Sequence, residues 1–462
     1  MNHVFEADEM MIEMTLAQAI NILNTPTSPL FPDKKFTGLS IDTRTLQPSN
    51  LFIALKGSHA DGHNYVESAY QKGASAALVT HLIASPLPQI LVNDTVMALG
   101  LLGKAWRKLF HIPMIAVTGS NGKTTLKNMI AAILTAACQN NSTHVLATQG
   151  TLNNHLGLPL TLARLHPKHR YAVLEMGMNH FGEIKYLTQL AHPTIAVITN
   201  AAACHLEGVG DIAGVARAKA EIFIDLPTNG VAILNRDDAF FTYWQKEIND
   251  HSLLTFGYHQ DADIRALIHE NTPSSAITFL TPKGKIDIQL PLLGKHNILN
   301  ALAATAATLA MDIDLTAIKQ GLESLESVPG RLQLHALANG VNIIDDTYNA
   351  NPFSLQAAVE TLATFHGKKI LVLGDMKELG TEAKPLHFAA GEKIRAAGIN
   401  YLFTYGELSA HCSNAFGEGA YHFSEQDKLI DALKPFLYNQ TTILIKGSRS
   451  MRMEKIVAEL IL

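Results

Sequence analysis

The stretch "IPMIAVTGSNGKTTLKN" (residues 112–128) decides the fold. Its apolar, β-branched opening reads as a buried strand ending near Thr118. The run "TTLKNMIAAILTAA", from Thr124, reads as a helix. The turn between them carries Gly119 and Gly122. A glycine turn that opens a helix gathers unpaired backbone N–H groups and the positive end of the helix dipole, which favours an anion. The common phosphate loop reads G-x-x-x-x-G-K-[ST]. Here its first glycine would fall on Val117, inside the strand. A shorter loop remains: Gly119, Ser120, Asn121, Gly122, Lys123 and Thr124, with Thr125 following. Lys123 offers a point charge to terminal phosphates and Thr124 a hydroxyl to Mg²⁺. The loop points to a nucleotide without naming a reaction.

Around this loop the central chain reads as βαβ. "YAVLEMG", "TIAVITN" and "VAILN" are short apolar runs separated by helical stretches, the pattern of a parallel sheet covered on both faces. "AITFLTPKGKIDIQLPL" alternates around Pro-Lys-Gly-Lys and reads as a hairpin, followed by the helix "NILNALAATAATLAM". Upstream, "KFTGLSIDTRT", "NLFIALKG" and "ASAALVT" read as strands. Residues 65–72 read as a helix stopped by Gly73, which enters the left-handed region cheaply. Residues 94–110 form a further helix. Downstream, "VNIIDDTYNANP", "KKILVLGDM", "NYLFTYG" and "TTILIKGSRS" are strands or strand ends. The expected fold is α/β with three domains in series. Residues 1–111 form a small N-terminal α/β domain. Residues 112–328 form a central P-loop-type domain with a mostly parallel sheet. Residues 329–462 form a Rossmann-like domain.

Composition narrows the classes. A chain of 462 residues with 47% hydrophobic and 17% charged side chains builds sizeable cores. A net charge of -5 gives no electrostatic footprint for nucleic acid. No apolar run reaches the roughly 18 residues of a membrane span. The acidic start "MNHVFEADEMMIEM" lacks the basic region of a signal peptide. Cys138, Cys204 and Cys412 are isolated and form no disulfide or metal spacing. A reduced, cytoplasmic protein is the expectation.

Three further residues bear on the reaction. Glu175 ends the strand "YAVLE", at the sheet edge where ligands bind in open α/β folds, and a carboxylate there suits Mg²⁺. His205 lies in the loop after the next strand, and Lys219 lies on the helix "VARAKAEIF". Taken singly, these are an acid after a strand, a loop histidine and a solvated lysine. Taken in order with "TLNNHLGLP", "GKHNILNALAA", "VPGR" and "DDTYNANP", the chain resembles the Mur ligase family, ATP-dependent amide-bond formers of peptidoglycan synthesis. The resemblance covers nearly the whole chain. "DDTYNANP", "GDMKELG" and "HLEG" place it nearest the branch that adds D-alanyl-D-alanine to UDP-N-acetylmuramoyl-tripeptide. Residues 1–10 look like an extension or a mis-called start relative to that branch.

The resemblance implies ATP activation of a carboxylate as an acyl phosphate. It assigns the ATP phosphates to Gly119 through Thr125, and the adenine end to Asn297 and Asn300. Arg331 and Asp346 close over ATP from the third domain. Thr124 and Glu175 match ligands of one Mg²⁺, and His205 a ligand of a second. Lys219 is implied to be a carbamate that also holds metal. Ser40, Asp42, Arg44, Asn153 and Asn154 are candidates for the UDP-sugar substrate. The first domain would grip the UDP-sugar and the third would bring D-alanyl-D-alanine, with hinges near Ile112 and Pro329–Gly330. A monomer without nucleic-acid or membrane partners is implied. Another ligase of the superfamily, a UDP-N-acetylmuramoyl-dipeptide amino-acid ligase or folylpolyglutamate synthase, is the alternative. A nucleotide-binding module without catalysis would need the loop but not Glu175, His205 and Lys219 together.

Overall fold

The computed structural model describes residues 11–25, 32–57, 60–268, 276–326 and 329–461; the expectation about residues 1–10 lies outside them. The opening stretch is the strand Met114–Thr118 followed by the helix Lys123–Ala137. Alternate side chains of that strand enter different cores. Met114 and Ala116 join one cluster, whereas Ile115 and Val117 join the other. A strand's period of two, with both faces apolar, puts it in the middle of a covered sheet.

That sheet has nine strands. Met114–Thr118 sits between Tyr171–Glu175 and Ile195–Ile198, parallel to both. Val145–Ala147 lies beyond Tyr171–Glu175. On the other side come Val231–Asn235, Ser252–Gly257 and Ile264–Ile268, all parallel. The expected hairpin, Ala276–Thr281 with Gly284–Gln289, closes that edge antiparallel. The helices Lys123–Ala137, Lys295–Leu309 and Leu315–Glu323 cover one face. Glu183–Ala191 and Ile212–Ala220 cover the other, where Trp244 is fully buried. Parallel pairing sets Val117 opposite Glu175 and Thr118 opposite Ile198. The loops after three adjacent strands therefore open at one edge.

The first domain holds four short parallel strands in the order Leu39–Ser40, Leu51–Ile53, Ala76–Val79 and Gln89–Leu91. "KFTGLSIDTRT" breaks at Gly38, whose φ of 79° needs glycine. Its first half, Lys35–Thr37, pairs instead with Glu13–Thr15. The third domain is a six-stranded sheet, parallel except for the edge strand Gln333–Ala336. At its centre Asn342–Asp346, Thr441–Lys446 and Lys368–Gly374 run side by side. Their C-terminal ends turn toward the central domain's loops. Among the described residues no helix is long and apolar enough to cross a membrane.

The strand that carries Glu175 is preceded by a pH-sensitive corner. The backbone N–H of His166 donates to His169 Nδ1 at 3.0 Å. Burial, with His166, Arg164 and His144 nearby, lowers the His169 pKa from 6.5 to about 4. The unfolded chain therefore binds an extra proton between those values. This part of the stability is present above pH 6.5 and is lost as pH falls toward 4. The melting temperature should fall between pH 7 and pH 5, and His169→Gln should fall less. Equal falls for the two proteins would remove His169 as a cause.

Candidate active site

Neighbouring segments shape the phosphate-type loop. Gly119 has φ 153° and Gly122 has φ 82°. A Cβ on Gly119 would lie 1.7 Å from Thr199 Oγ1, and one on Gly122 would lie 2.4 Å from Asn300 Oδ1. Both positions require glycine for conformation and for room. The Ser120 N–H donates to Asn200 O at 3.0 Å, and the Asn121 N–H to Asn200 Oδ1 at 3.1 Å. Ser120 Oγ accepts from the Ala202 N–H at 2.9 Å and donates to Ala202 O at 3.1 Å. The loop is thus pinned to the segment that leads to His205. No side chain caps the helix Lys123–Ala137, which leaves its N-terminal N–H groups to a ligand. Lys123 Nζ folds over the loop, donating to Gly119 O at 2.7 Å and Ser120 O at 3.3 Å.

Glu175 stands beside the loop and is 3% exposed. Its Oε1 accepts from Asn153 Nδ2 at 2.8 Å, whereas its Oε2 is buried with no hydrogen-bond partner among the described residues. Behind it, Lys127 is also buried and donates to Thr148 O at 2.8 Å. Burial lowers the Lys127 pKa, and Glu175 partly offsets this. His205 takes φ 53° at the start of the turn Leu206–Val209. Burial, then Lys123 and Lys219, push its pKa down to about 4, so the ring is neutral at pH 7.

Lys219 departs most from its plain reading. Far from being solvated, it is 2% exposed, near the end of the helix Ile212–Ala220. Burial first, and Lys123 second, lower its pKa to about 7. No carboxylate pairs with it among the described residues.

A cavity of about 1160 Å³ joins the loop, Glu175 and His205 to the third domain; Lys219 and Lys127 do not line it. Ser120 through Thr125, Glu175, His205, Asn297, Asn300, Arg331 and Asp346 all line it. Arg331 reaches Thr124 Oγ1 at 3.5 Å and stacks over the Tyr348 ring at 4.2 Å. Asp346 Oδ2 accepts from Lys446 Nζ at 2.6 Å. Asn297 and Asn300 are buried in the first turns of Lys295–Leu309. Asn300 Nδ2 donates to Asn297 Oδ1 at 3.3 Å.

The substrate candidates separate. Asn153 lines the cavity, where its amide serves Glu175. The Asn154 side chain accepts from the Leu156 and Gly157 N–H groups ahead of the helix Gly157–Leu162. Ser40, Asp42 and Arg44 form a turn of their own in the first domain. Ser40 Oγ donates to Asp42 O at 3.0 Å, and Arg44 forks onto Asp42. They do not line the cavity. Sequence reading passed over His296, Lys127 and Asn351. His296 neighbours Asn297 and lines the cavity; burial lowers its pKa to about 4. Lys127 lies one helical turn beyond Lys123, a spacing that carries no mark of its burial.

Three α/β domains, the third reaching across a phosphate-type loop of the second, are the architecture of an ATP-dependent C–N ligase. Family models match in the same order along the chain. Residues 35–97 match "Mur ligase family, catalytic domain", 117–308 "Mur ligase middle domain", and 330–449 "Mur ligase, glutamate ligase domain". The chain is 44% identical to UDP-N-acetylmuramoyl-tripeptide–D-alanyl-D-alanine ligase of Escherichia coli (strain K12), over 97% of this chain and 99% of the relative. The crystal structure of MurF from Acinetobacter baumannii superposes with a TM-score of 0.91 at 33% identity, covering 98% of this chain and 99% of that one. MurF from Thermotoga maritima in complex with ADP superposes with a TM-score of 0.81 at 26% identity, over 92% and 96%. The chain belongs to the Mur ligase family.

Proposed function

We propose that this chain joins D-alanyl-D-alanine to UDP-N-acetylmuramoyl-tripeptide, cleaving ATP to ADP and phosphate, in cytoplasmic peptidoglycan precursor synthesis. The observation that carries the reading is its near-full-length similarity to the E. coli ligase of that name. Third-domain residues that wall the phosphate-type loop support it.

A carboxylate and an amine do not condense in water without activation. The tripeptide carboxylate attacks the γ-phosphorus of ATP, and the bond to the ADP oxygen breaks. The dipeptide amine then attacks the acyl carbon of the acyl phosphate. A tetrahedral intermediate expels phosphate as the amine loses its proton. Phosphoryl transfer asks mainly for positioning and charge neutralisation. Gly119 through Thr125 cradle the phosphates, with the Lys123 ammonium and the uncapped N–H groups at the start of the helix Lys123–Ala137; the Ser120 and Asn121 N–H groups are already held by Asn200. Arg331 adds a cation from the third domain. Asn297 and Asn300 are assigned to the adenine end, although Asn300 also packs against Gly122 of the loop, and Asp346 is assigned to close over the nucleotide. Water would destroy the acyl phosphate, so closure at the hinges near Ile112 and Gly330 precedes chemistry.

The residues also fit a divalent cation. Glu175 Oε2 is a buried acceptor without a donor, and the neutral His205 ring offers a lone pair. Among the described residues no three His, Cys, Asp or Glu side chains converge as a metal cluster. Mg²⁺ commonly takes one or two carboxylates and completes its shell with phosphates and water. Thr124 and Glu175 would hold one ion, and His205 with Lys219 a second; the ions would neutralise charge on the transferring phosphoryl group. As a carbamate, Lys219 would be an anionic oxygen ligand. Its neutral Nζ forms a C–N bond to CO₂, a C=O electron pair moves to oxygen, and one proton leaves to solvent. A pKa near 7 keeps much of the amine neutral for that step.

The first domain, with Ser40, Asp42 and Arg44, grips the UDP-sugar, assisted by Asn153 and Asn154. The third brings the acceptor, and the chain works as a monomer. Purified protein with ATP and Mg²⁺ should release phosphate only when both the UDP-tripeptide and D-alanyl-D-alanine are present, with product mass to match. Turnover with glutamate and a folate, and none with the dipeptide, would overturn the assignment.

A further inference from the structure

A direct hydrogen bond joins the phosphate-type loop to the third domain, and its geometry fixes the orientation of both side chains. Asn351 caps the helix Pro352–Ala363. Its Oδ1 accepts from the Ser354 N–H at 2.8 Å, and Ser354 Oγ accepts from the Asn351 N–H at 3.0 Å. With Oδ1 committed to the cap, Nδ2 points outward and donates to Asn121 Oδ1 at 2.9 Å. Asn121 must present its oxygen there, because two donors would repel. The loop backbone does not let the residue drift. The Asn121 N–H is held by Asn200 Oδ1 at 3.1 Å, and its carbonyl accepts from Thr199 Oγ1 at 2.7 Å.

The consequence falls on the other half of the Asn121 amide. Among the described residues Nδ2 is buried and has no acceptor. An orphaned buried donor costs free energy and calls for an explanation. This one belongs to a residue that lines the cavity, next to the uncapped start of the helix Lys123–Ala137, whose N–H groups favour an anion. A phosphoryl oxygen is an acceptor of the right chemistry.

We infer that Asn351 is a positioning residue acting through Asn121: by engaging Oδ1 it turns the Asn121 amide so that Nδ2 faces a phosphoryl oxygen of the nucleotide. Seating the third domain and gripping the nucleotide thereby become one event. Arg331, which reaches Thr124 from the same domain, acts by charge and leaves the Asn121 amide unoriented. The inference rests on the reading of this loop as the ATP site.

The test is a double-mutant cycle with Asn351→Ser and Asn121→Ala. Serine caps a helix about as well as asparagine but is too short to reach Asn121. The helix cap is therefore kept, and the melting temperature should stay close to the wild-type value. Each single variant should lower kcat/KM for ATP about tenfold or more, the size of a lost hydrogen bond to a charged group. The double variant should be no worse than Asn121→Ala alone. Losses that multiply in the double variant, or an Asn351→Ser protein with wild-type kcat/KM for ATP, would overturn the inference. Failure of the underlying reading looks different: Lys123→Ala would then also keep its turnover.

Discussion

Lys219→Met is expected to lose roughly a thousandfold in kcat, the scale of several kcal/mol of metal-borne charge stabilisation, while its melting temperature holds or rises. Methionine keeps the volume and removes a buried, unpaired ammonium, an exchange that is often neutral or stabilising. Lys219→Arg should fail as well, because guanidinium keeps its charge and forms no carbamate. Lys219→Ala leaves space where formate or acetate can supply the missing carboxylate, and either should restore part of the activity. Rescue separates a lost oxygen ligand from a misplaced helix. Near-normal turnover in Lys219→Arg would sink the carbamate.

Lys123→Ala should be nearly as severe, with a loss of about a thousandfold in kcat/KM for ATP from removing a positioned charge at the phosphates. Among the described residues its ammonium bonds only to carbonyls of its own loop. Stability should thus change by no more than about 1 kcal/mol, which thermal melts of the ligand-free protein would check. An active variant would place the ATP site elsewhere.

What could be read beforehand followed from local chemistry. Met114–Thr118, Tyr171–Glu175 and Ile195–Ile198 are β-branched runs bounded by turns, and the glycines after Thr118 mark a helix start. Glu175 was legible because it ends such a run. The burial of Lys219 was not, because helix periodicity gives a lysine no sign of being walled in by neighbouring elements; the motif resemblance alone singled that residue out. The three-residue edge strand Val145–Ala147 is too short to announce itself. The Asn153–Glu175 bond links residues from two different loops, and the Asn121–Asn351 bond joins two domains. No pattern within a short window encodes either pairing. The motif resemblance carried Arg331 and Asp346 to the site, which propensity alone could not.

The roof over the phosphate-type loop comes from elsewhere in the chain. Thr199 closes over Gly119 and Asn300 over Gly122, so a short loop has the enclosure that a longer one builds from its own residues. Such a loop is not a portable cassette. Grafted onto another strand and helix, the same letters would lack their ceiling, and an extra residue inserted here would strike it. The spelling of residues 119–124 is therefore tied to side chains far along the sequence, and the loop, the strand end after Ile198 and the helix Lys295–Leu309 form one inheritable unit.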